Sequence, residues 1–169
     1  GSELITNGEF TTDLTGWTDT ANCNSTRVDS ASDPASESGG SDNYVIKVVD
    51  DGAAAHVDTD AITVVAGKVY KCTFKYYRPS TNTADDGQFR IYDNSNTSTI
   101  VNKTFDDENA WTSSSFYFTT PSGCTSIDVW ILPDTTTGDT IYVDAISLKE
   151  ARMGNHGTTT FYGDELIGE

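Results

Sequence analysis

The chain has 169 residues, which is enough for one well-packed domain and too few for two comfortable ones. It carries 10 Lys and Arg against 26 Asp and Glu, a net charge of −16. This negative field repels phosphate backbones and anionic lipids, so we expect neither nucleic acid nor a membrane as a partner. Neutral polysaccharides and divalent cations are compatible with it. The same acidity would also suit an extracellular or salt-adapted protein that needs only to remain soluble.

Apolar residues alternate with period two in short runs, separated by Gly, Asn, Asp, Ser and Thr. This pattern is typical of half-buried strands, and almost nothing in the chain has helical periodicity. In chain order, the predicted strands are Leu4–Ile5, Tyr44–Val49, Ala61–Val65, Val69–Arg78, Gly87–Tyr92, Ile100–Phe105, Ser114–Thr119, Ser126–Leu132 and Thr140–Leu148. Many short strands with turns between them predict an all-β fold, an antiparallel β-sandwich. The polar segment 29–43, ahead of the second strand, is predicted to be a long loop.

Alternate residues of a strand point to opposite sides of its sheet, so the mostly apolar set of each strand is predicted to face inwards. The opposite set of the strands at 69–78, 87–92 and 126–132 faces water and carries polar heads and aromatic rings. Its members suited to binding a sugar are Lys75, Tyr77, Gln88, Arg90, Tyr92, Asp128 and Trp130.

This interpretation depends mainly on Trp130, because an indole ring that is exposed in mid-strand does not contribute to the packing of the core. The C–H faces of pyranose rings stack on such rings, and burial of a large apolar side chain contributes about 1.5–3 kcal/mol. Amide, guanidinium, carboxylate and ammonium groups nearby suit the recognition of sugar hydroxyls. Two alternatives stay open. A loop or the carboxy-terminal tail could cover Trp130, and Tyr77 and Tyr92 could be simple cross-strand partners.

Four pieces of the chain, in their order and spacing, carry a family resemblance. They are residues 4–10 with Gly16-Trp17, residues 67–70, Trp111-Thr112 ahead of residues 116–118, and residues 141–148. Over residues 3–149 the chain resembles the family 4/9 carbohydrate-binding modules, which are jelly-roll β-sandwiches of galactose-binding-like type. The resemblance implies a non-catalytic, extracellular module that binds a polysaccharide of β-glucan or xylan type across a concave sheet. It also implies attached catalytic or structural domains as partners, and core positions for Trp17 and Trp111.

Glu9 and Asp144 lie in otherwise apolar segments, where a carboxylate is costly unless it is paired or coordinates a cation. The first and last strands of a closed jelly roll lie side by side, which would bring these two groups together. A hard cation such as Ca²⁺ relieves their repulsion and also accepts backbone oxygens. The resemblance implies a structural Ca²⁺ here, with backbone oxygens from residues 38–42 and from the strand near Lys47. A hydrogen-bonded carboxylate that caps a turn, or an ion pair with Lys47, remains an alternative.

Catalysis is not expected. Hydrolysis of glycosides needs two carboxylates across a cleft, and Asp128 is the only one on the predicted sugar face. One rival to sugar binding is a structural or host-adhesion module of a phage or surface protein, with the same fold and its sheet face buried against a partner. Another is a polysaccharide lyase, for which Tyr92 with Arg90 is the nearest approach to a catalytic pair.

The chain has three cysteines, and its last twenty residues follow the final predicted strand. Alternation places Cys72 inwards, and a bridge between Cys23 and Cys124 stays open. Residues 150–169 follow the strand that completes the predicted sandwich. We expect them to form a tail, either an extra edge strand or a linker to a further module.

Overall fold

The computed structural model describes residues 1–34, 36, 38, 42–84, 87–106 and 109–151. Within these ranges every regular element is a β-strand, and all strand pairs are antiparallel. The strands are β1 (Trp17–Asp19), β2 (Cys23–Asp29), β3 (Tyr44–Asp50), β4 (Val57–Thr59), β5 (Ile62–Thr63), β6 (Val69–Tyr77), β7 (Gln88–Asp93), β8 (Ser98–Thr104), β9 (Thr112–Thr119), β10 (Ser126–Leu132) and β11 (Thr140–Glu150). This part of the chain contains no helix with the length and apolar character needed to cross a membrane.

The strands form two sheets. The six-stranded sheet has the order β1-β4-β10-β7-β8, with β5 paired to β10, and the five-stranded sheet has the order β2-β3-β11-β6-β9. Most neighbours within a sheet are distant in sequence, so both sheets depend on long-range pairing. The predicted all-β antiparallel sandwich is confirmed.

The core lies between the two sheets and is filled by the inward residues that strand parity predicts. Phe74 of β6 and Phe89 of β7 stack across the sheets, with ring centroids 3.8 Å apart. Trp17 packs on Phe10 in the same core, at 5.5 Å between centroids. Burial of each such side chain stabilises the fold by about 1.5–3 kcal/mol. The core position expected for Trp17 is therefore confirmed.

The first residues of the chain run beside β11, as a closed sandwich requires. Leu4 N donates to Leu148 O over 2.9 Å, and Ile146 N donates to Gly8 O over 2.9 Å. A Cβ at Gly8 would lie 2.0 Å from Ile146 O, so the close approach of the two backbones requires glycine there. The amino-terminal segment and the last strand are thus neighbours, which is what the predicted metal site needs.

Some strand boundaries differ from the prediction. Leu4–Ile5 is not a strand, because this segment makes only an isolated bridge, between Glu3 and Lys149. The predicted strand Ala61–Val65 is reduced to β5, whose two residues pair with β10. Alternation does not predict β1, β2 or β4, which are short or largely polar.

Part of the outward face of the five-stranded sheet is covered by the segment that precedes β3. Trp111 Nε1 donates to Ser36 O over 2.6 Å, and Lys75 Nζ donates to Ser38 O over 3.0 Å. Trp111 also packs on Tyr77, with ring centroids 5.8 Å apart. Trp111 is thus half-buried on the outward side of the five-stranded sheet, and the core position expected for it is not found.

The three cysteines are free thiols, so Cys23 and Cys124 are not bridged. Burial raises the pKa of Cys23 to about 12 and that of Cys124 to about 11. Cys72 is buried in the core, as its parity predicts. All three thiols are consequently protonated near neutral pH.

Candidate functional site

Most of the predicted sugar contacts meet on the outward face of the six-stranded sheet. β7 contributes Gln88, Arg90 and Tyr92, and β10 contributes Asp128 and Trp130. The register of these two strands places Tyr92 opposite Asp128 and Arg90 opposite Trp130. All five side chains are half-exposed. Each strand gives its alternate apolar residues to the core, which leaves these polar and aromatic ones outside.

Three aromatic rings form a stack on this face. Trp130 stacks on Tyr92, with ring centroids 4.1 Å apart and 18° between the ring planes. His56, which directly precedes β4, stacks on Trp130 at 4.2 Å and 23°. We call His56, Trp130 and Tyr92 the ring stack. Such near-parallel contacts between rings are favourable beyond the burial of their area, by about 0.5–1.5 kcal/mol.

Polar groups with unused hydrogen-bonding capacity surround the ring stack. Arg90 Nη2 donates to Gln88 Oε1 over 2.6 Å, and the guanidinium carbon lies 5.5 Å from the ring centroid of Trp130. Among the described residues, Arg90 Nε, Asp128 Oδ1 and Trp130 Nε1 are enclosed and have no hydrogen-bond partner. An enclosed polar atom without a partner costs about 1–3 kcal/mol. The Asp128 carboxylate also has a side-chain hydrogen bond with Asn94, so these side chains use part of their hydrogen-bonding capacity within the module.

Carboxylates lie on both sides of Trp130. Asp58 of β4 is its direct cross-strand partner, and Asp128 precedes it by two positions on β10. Burial raises the pKa of Asp58; the nearby His56 opposes this rise, and the charge of Asp128 adds to it. Burial likewise raises the pKa of Asp128, with a contribution from the charge of Asp60. Such a face suits neutral ligands better than anionic ones.

Tyr77 and Lys75 are not part of this face. Both lie on β6, which belongs to the five-stranded sheet. Tyr77 is 8% exposed and packs in a small cluster with Val45 and Tyr142, while Lys75 reaches the long loop. The prediction that these two residues share a sheet face with β7 and β10 is wrong. Parity gives the direction of a side chain, but it does not give the neighbours of its strand.

His56 and Asp58 belong to this face, and sequence reasoning missed both. Val57 and Thr59 of β4 are buried and Asp58 between them is half-exposed, so the period-two alternation is present. A strand of three residues is too short for this alternation to be separated from chance. His56 precedes the strand, and no pattern in the sequence marks it.

Asp144 is the buried carboxylate of the predicted metal site, with 1% exposure. Its Oδ1 accepts a hydrogen bond from Ala145 N over 2.7 Å, whereas its Oδ2 has no partner among the described residues. Burial raises the pKa of Asp144, hydrogen bonds from the Ser38 side chain and Ala145 N oppose this rise, and the charge of the exposed Glu9 adds to it. This donor chemistry fits a hard cation. Within the described ranges no group of three or more His, Cys, Asp or Glu forms, so other oxygens would have to complete the site.

Lys47 was considered above as an ion-pair partner in the alternative to a metal site, but it pairs with another carboxylate. Lys47 Nζ forms an ion pair with Asp33 Oδ2 at 2.7 Å. Its backbone pairs with Tyr142, two positions before Asp144 on β11, which keeps it near the predicted site. Residues 39–41 of the predicted ligand loop lie outside the described residues.

The sequence matches a known protein family. The profile of the 4/9 family of carbohydrate binding domains matches residues 2–136, most of the chain. The chain belongs to this family. Its described part is a carbohydrate-binding module, and the type of domain to which it belongs is non-catalytic. We call the outward side chains around the ring stack the candidate sugar face; they are His56, Asp58, Gln88, Arg90, Tyr92, Asp128 and Trp130.

Solved structures share the jelly-roll fold of this module. The CBM22-1–GH10 modules of endo-1,4-β-D-xylanase 10B from Clostridium thermocellum, complexed with xylohexaose, are 15% identical with a TM-score of 0.62, over 89% of this chain and 29% of that one. The CBM22-1 xylan-binding domain of Xyn10C from Paenibacillus barcinonensis is 12% identical with a TM-score of 0.62, over 89% and 95%. A CBM4 structure is 16% identical with a TM-score of 0.63, over 87% and 99%.

These identities show the fold alone. The chain spans 29% of the Clostridium thermocellum chain, so what that larger protein does is not carried over. No curated protein sequence matches the chain. The tail predicted for residues 150–169 lies almost wholly outside the described residues, which end at 151.

Proposed function

We propose that this module binds a neutral polysaccharide, of β-glucan or xylan type, across the candidate sugar face and takes no catalytic part. One observation carries the proposal: a half-exposed ring stack lies beside the half-exposed polar side chains of Gln88, Arg90 and Asp128. A pyranose has apolar C–H faces and polar hydroxyl groups at its edge, and this combination of aromatic and polar side chains can contact both.

Aromatic contact supplies the apolar part of this recognition. The C–H patches of a sugar pack against exposed ring carbons, and removing a large apolar side chain from water contributes about 1.5–3 kcal/mol. Because the ring stack is half-exposed, a ligand can still bury part of its apolar surface. Because the rings are already packed on one another, little side-chain entropy is lost when a sugar binds.

Polar neighbours supply the hydroxyl recognition. Gln88 and Asp128 offer acceptors, and Arg90 offers donors in a planar fork. Both Asp128 and Arg90 are half-exposed, so part of each side chain can contact a sugar hydroxyl at the surface. The net charge of −16 and the carboxylates near Trp130 favour a neutral chain over an anionic one.

The choice of β-glucan or xylan is supported by the neighbours in fold. One is a xylan-binding domain, and another was solved with xylohexaose. At 12% and 15% identity these structures suggest a ligand class to test first.

Affinity electrophoresis in native gels that contain β-glucan, xylan, mannan or alginate tests the proposal. The variant is Trp130→Ala, and the matched control is Tyr117→Ala, which removes a ring that is 63% exposed on β9 of the other sheet. We expect β-glucan or xylan to retard the unmodified chain and the control, and retardation to be lost in Trp130→Ala.

Three results would contradict the proposal. Retardation by alginate alone would refute a preference for neutral chains. No retardation on any gel would overturn sugar binding at this face and favour the other reading, a structural or host-adhesion module whose sheet is covered by a partner. Release of unsaturated products, followed by ultraviolet absorbance, would show a lyase.

We further infer an extracellular location, with attached catalytic or structural domains as partners. Polysaccharides of this class are met outside the cell, and the Clostridium thermocellum neighbour joins its CBM22-1 module to a GH10 module. Immunodetection of the parent protein in culture supernatant and cell fractions checks this, and retention in the cytosol would contradict it.

We also propose a structural Ca²⁺ held by Glu9 and Asp144, with backbone oxygens near Lys47 and from residues 38–42. The buried Oδ2 of Asp144, which has no hydrogen-bond partner among the residues that the structure describes, supports it. Calorimetry in excess Ca²⁺ and in EDTA is the test, since a ligand at 100 times its Kd stabilises the folded state by about 2.7 kcal/mol. We expect a higher Tm in Ca²⁺, no such response in Asp144→Asn, and an unchanged response in Asp51→Asn, on an exposed turn. Equal Tm values in Ca²⁺ and EDTA would refute the site.

A further inference from the structure

Both faces of the Trp130 indole are covered by other rings. Tyr92 lies on β7 and His56 directly precedes β4, and these two strands pair with opposite edges of β10. The two rings therefore reach Trp130 from opposite sides, at 4.1 Å and 4.2 Å between centroids. A sugar cannot stack face to face on Trp130 in this arrangement. The ring faces that Trp130 does not cover are those of Tyr92 and His56 that point away from it, and both residues are half-exposed.

The geometry points to His56 as a further sugar-contacting residue of the candidate sugar face, and to Trp130 as the residue that positions the two outer rings. This inference rests on the proposed function and assigns its contacts. It extends the face from β7 and β10 onto the start of β4, where Asp58 adds a carboxylate acceptor opposite Trp130. The ligand it fits is a β-linked chain of neutral pyranoses.

The backbone of His56 is held in place by one residue. His56 N donates to Thr20 Oγ1 over 3.1 Å. Its carbonyl oxygen accepts from Thr20 N over 3.0 Å and from Thr20 Oγ1 over 2.6 Å. The loop that carries the ring is thereby tied to the residue that follows β1. A contact residue fixed in this way loses little freedom on binding.

The imidazole ring is oriented as well. Its Nδ1 lies 3.1 Å from Ala54 O, and a carbonyl oxygen only accepts, so Nδ1 is a donor in this contact. Nε2, on the opposite side of the ring, is then the nitrogen left for a sugar hydroxyl. His56 thus offers an outer ring face and a directed polar atom, which is more than a hydrophobic contact.

Isothermal titration calorimetry with xylohexaose and cellohexaose tests the inference. The variants are His56→Ala, which removes the ring and its nitrogens, and His56→Phe, which keeps the ring face and removes the nitrogens. Tyr117→Ala is again the control on the other sheet. We expect His56→Ala to weaken binding roughly tenfold, the scale of one aromatic contact, and His56→Phe to recover part of that loss.

The role of Trp130 is tested separately by Trp130→Phe and Trp130→Ala. Phenylalanine still fills the space between the outer rings, so Trp130→Phe should keep most of the affinity that Trp130→Ala loses. A positioning role also predicts that the ring-proton resonances of His56 move when the hexaose is added, and lose their ring-current shift in Trp130→Ala. A purely structural Trp130 would lower Tm without changing the resonances of His56 on titration.

The outcomes separate this inference from the proposed function. If neither hexaose binds the unmodified chain, the β-glucan or xylan assignment fails and this inference fails with it. If the unmodified chain binds and His56→Ala changes the Kd by less than about twofold at unchanged Tm, only this inference is overturned. If His56→Ala unfolds, unchanged His56 resonances in the titration of the unmodified chain overturn it instead.

Discussion

Arg78 and Asp134 form an ion pair inside the protein, with Arg78 Nε 3.0 Å from Asp134 Oδ2 and side-chain exposures of 2% and 0%. Asp134 also accepts from Gly87 N over 2.6 Å and from Asn82 Nδ2 over 2.5 Å. One carboxylate therefore ties together the segment before β7 and the segment after β10. These are the two strands that carry most of the candidate sugar face.

Removing one partner of this pair should destabilise the fold strongly. Asp134→Ala removes the carboxylate with which Arg78 pairs in the interior, and loss of one partner of a buried pair typically costs 3–5 kcal/mol, so a loss of about that size is expected. The exposed pair Lys68–Glu150, at 3.5 Å, is the control, and Glu150→Ala should cost less than about 1 kcal/mol. Urea denaturation of both variants measures the difference. Equal decreases in the free energy of unfolding would show that the buried ion pair contributes no more to stability than the exposed one.

Tyr77→Ala should separate stability from sugar binding. Tyr77 is buried among Val45, Trp111 and Tyr142 on the five-stranded sheet, and truncating a buried aromatic residue costs about 3–5 kcal/mol. Because it lies on the opposite sheet from the candidate sugar face, the Kd for xylohexaose should not change below the new Tm. A weakened Kd in a folded Tyr77→Ala protein would contradict the separation of the two sheets.

Asp93 should contribute stability that is lost in acid. Burial opposes its ionisation, but hydrogen bonds from the Asn96 side chain and backbone and from Ser95 N outweigh this and lower its pKa below the usual 3.8. A lowered folded-state pKa gives stability that is present above pH 3.8 and is lost as the pH falls through the folded value. Asp93→Asn should therefore lower the free energy of unfolding by about 1 kcal/mol at pH 7.

The acid titration distinguishes this from a simple packing defect. Thermal melts of Asp93→Asn and the unmodified chain should converge as the pH is lowered past the folded pKa of Asp93. A difference in Tm that stays constant from pH 7 into acid would show that the charge on Asp93 has no part in stabilising the turn between β7 and β8.

Asp58 should behave in the opposite sense. Its raised pKa means that the folded state disfavours its charge, so stability improves as the pH falls through the folded value and the cost is fully present above it. Asp58→Asn should raise the free energy of unfolding at pH 7 by a few tenths of a kcal/mol, because the group is half-exposed and screened. Asp51→Asn removes the same charge from an exposed turn and serves as the control. A stability gain shared equally by both variants would trace the effect to net charge alone.

Period-two alternation was sufficient to predict β7 and β10, which carry most of the site, and the direction of their side chains. Phe89 and Val129 point into the core, and Arg90 and Trp130 point outwards, as parity requires. The same rule assigned Tyr77 an outward direction correctly, yet it could not show that β6 pairs with β11 and β9. Pairing between distant strands depends on how the whole core packs, which no local pattern encodes.

His56 illustrates the other limit of sequence reasoning. Its place in the ring stack depends on hydrogen bonds to Thr20, 36 positions away, and on the packing of β4 against β10. Neither contact leaves a local signature. Trp130 could be found because an aromatic residue in an outward position is unusual in itself.

The ring stack draws on positions 56, 92 and 130, which meet only after strands far apart in the sequence have paired. An unfolded chain therefore has no sugar platform, and any saccharide held there binds the native state alone. Sugar occupancy and conformational stability are then thermodynamically coupled, so that a saturated module resists heat and proteases better than a free one. Such a module would be most resistant to unfolding and proteolysis while it is bound to its polysaccharide, and least resistant after it dissociates.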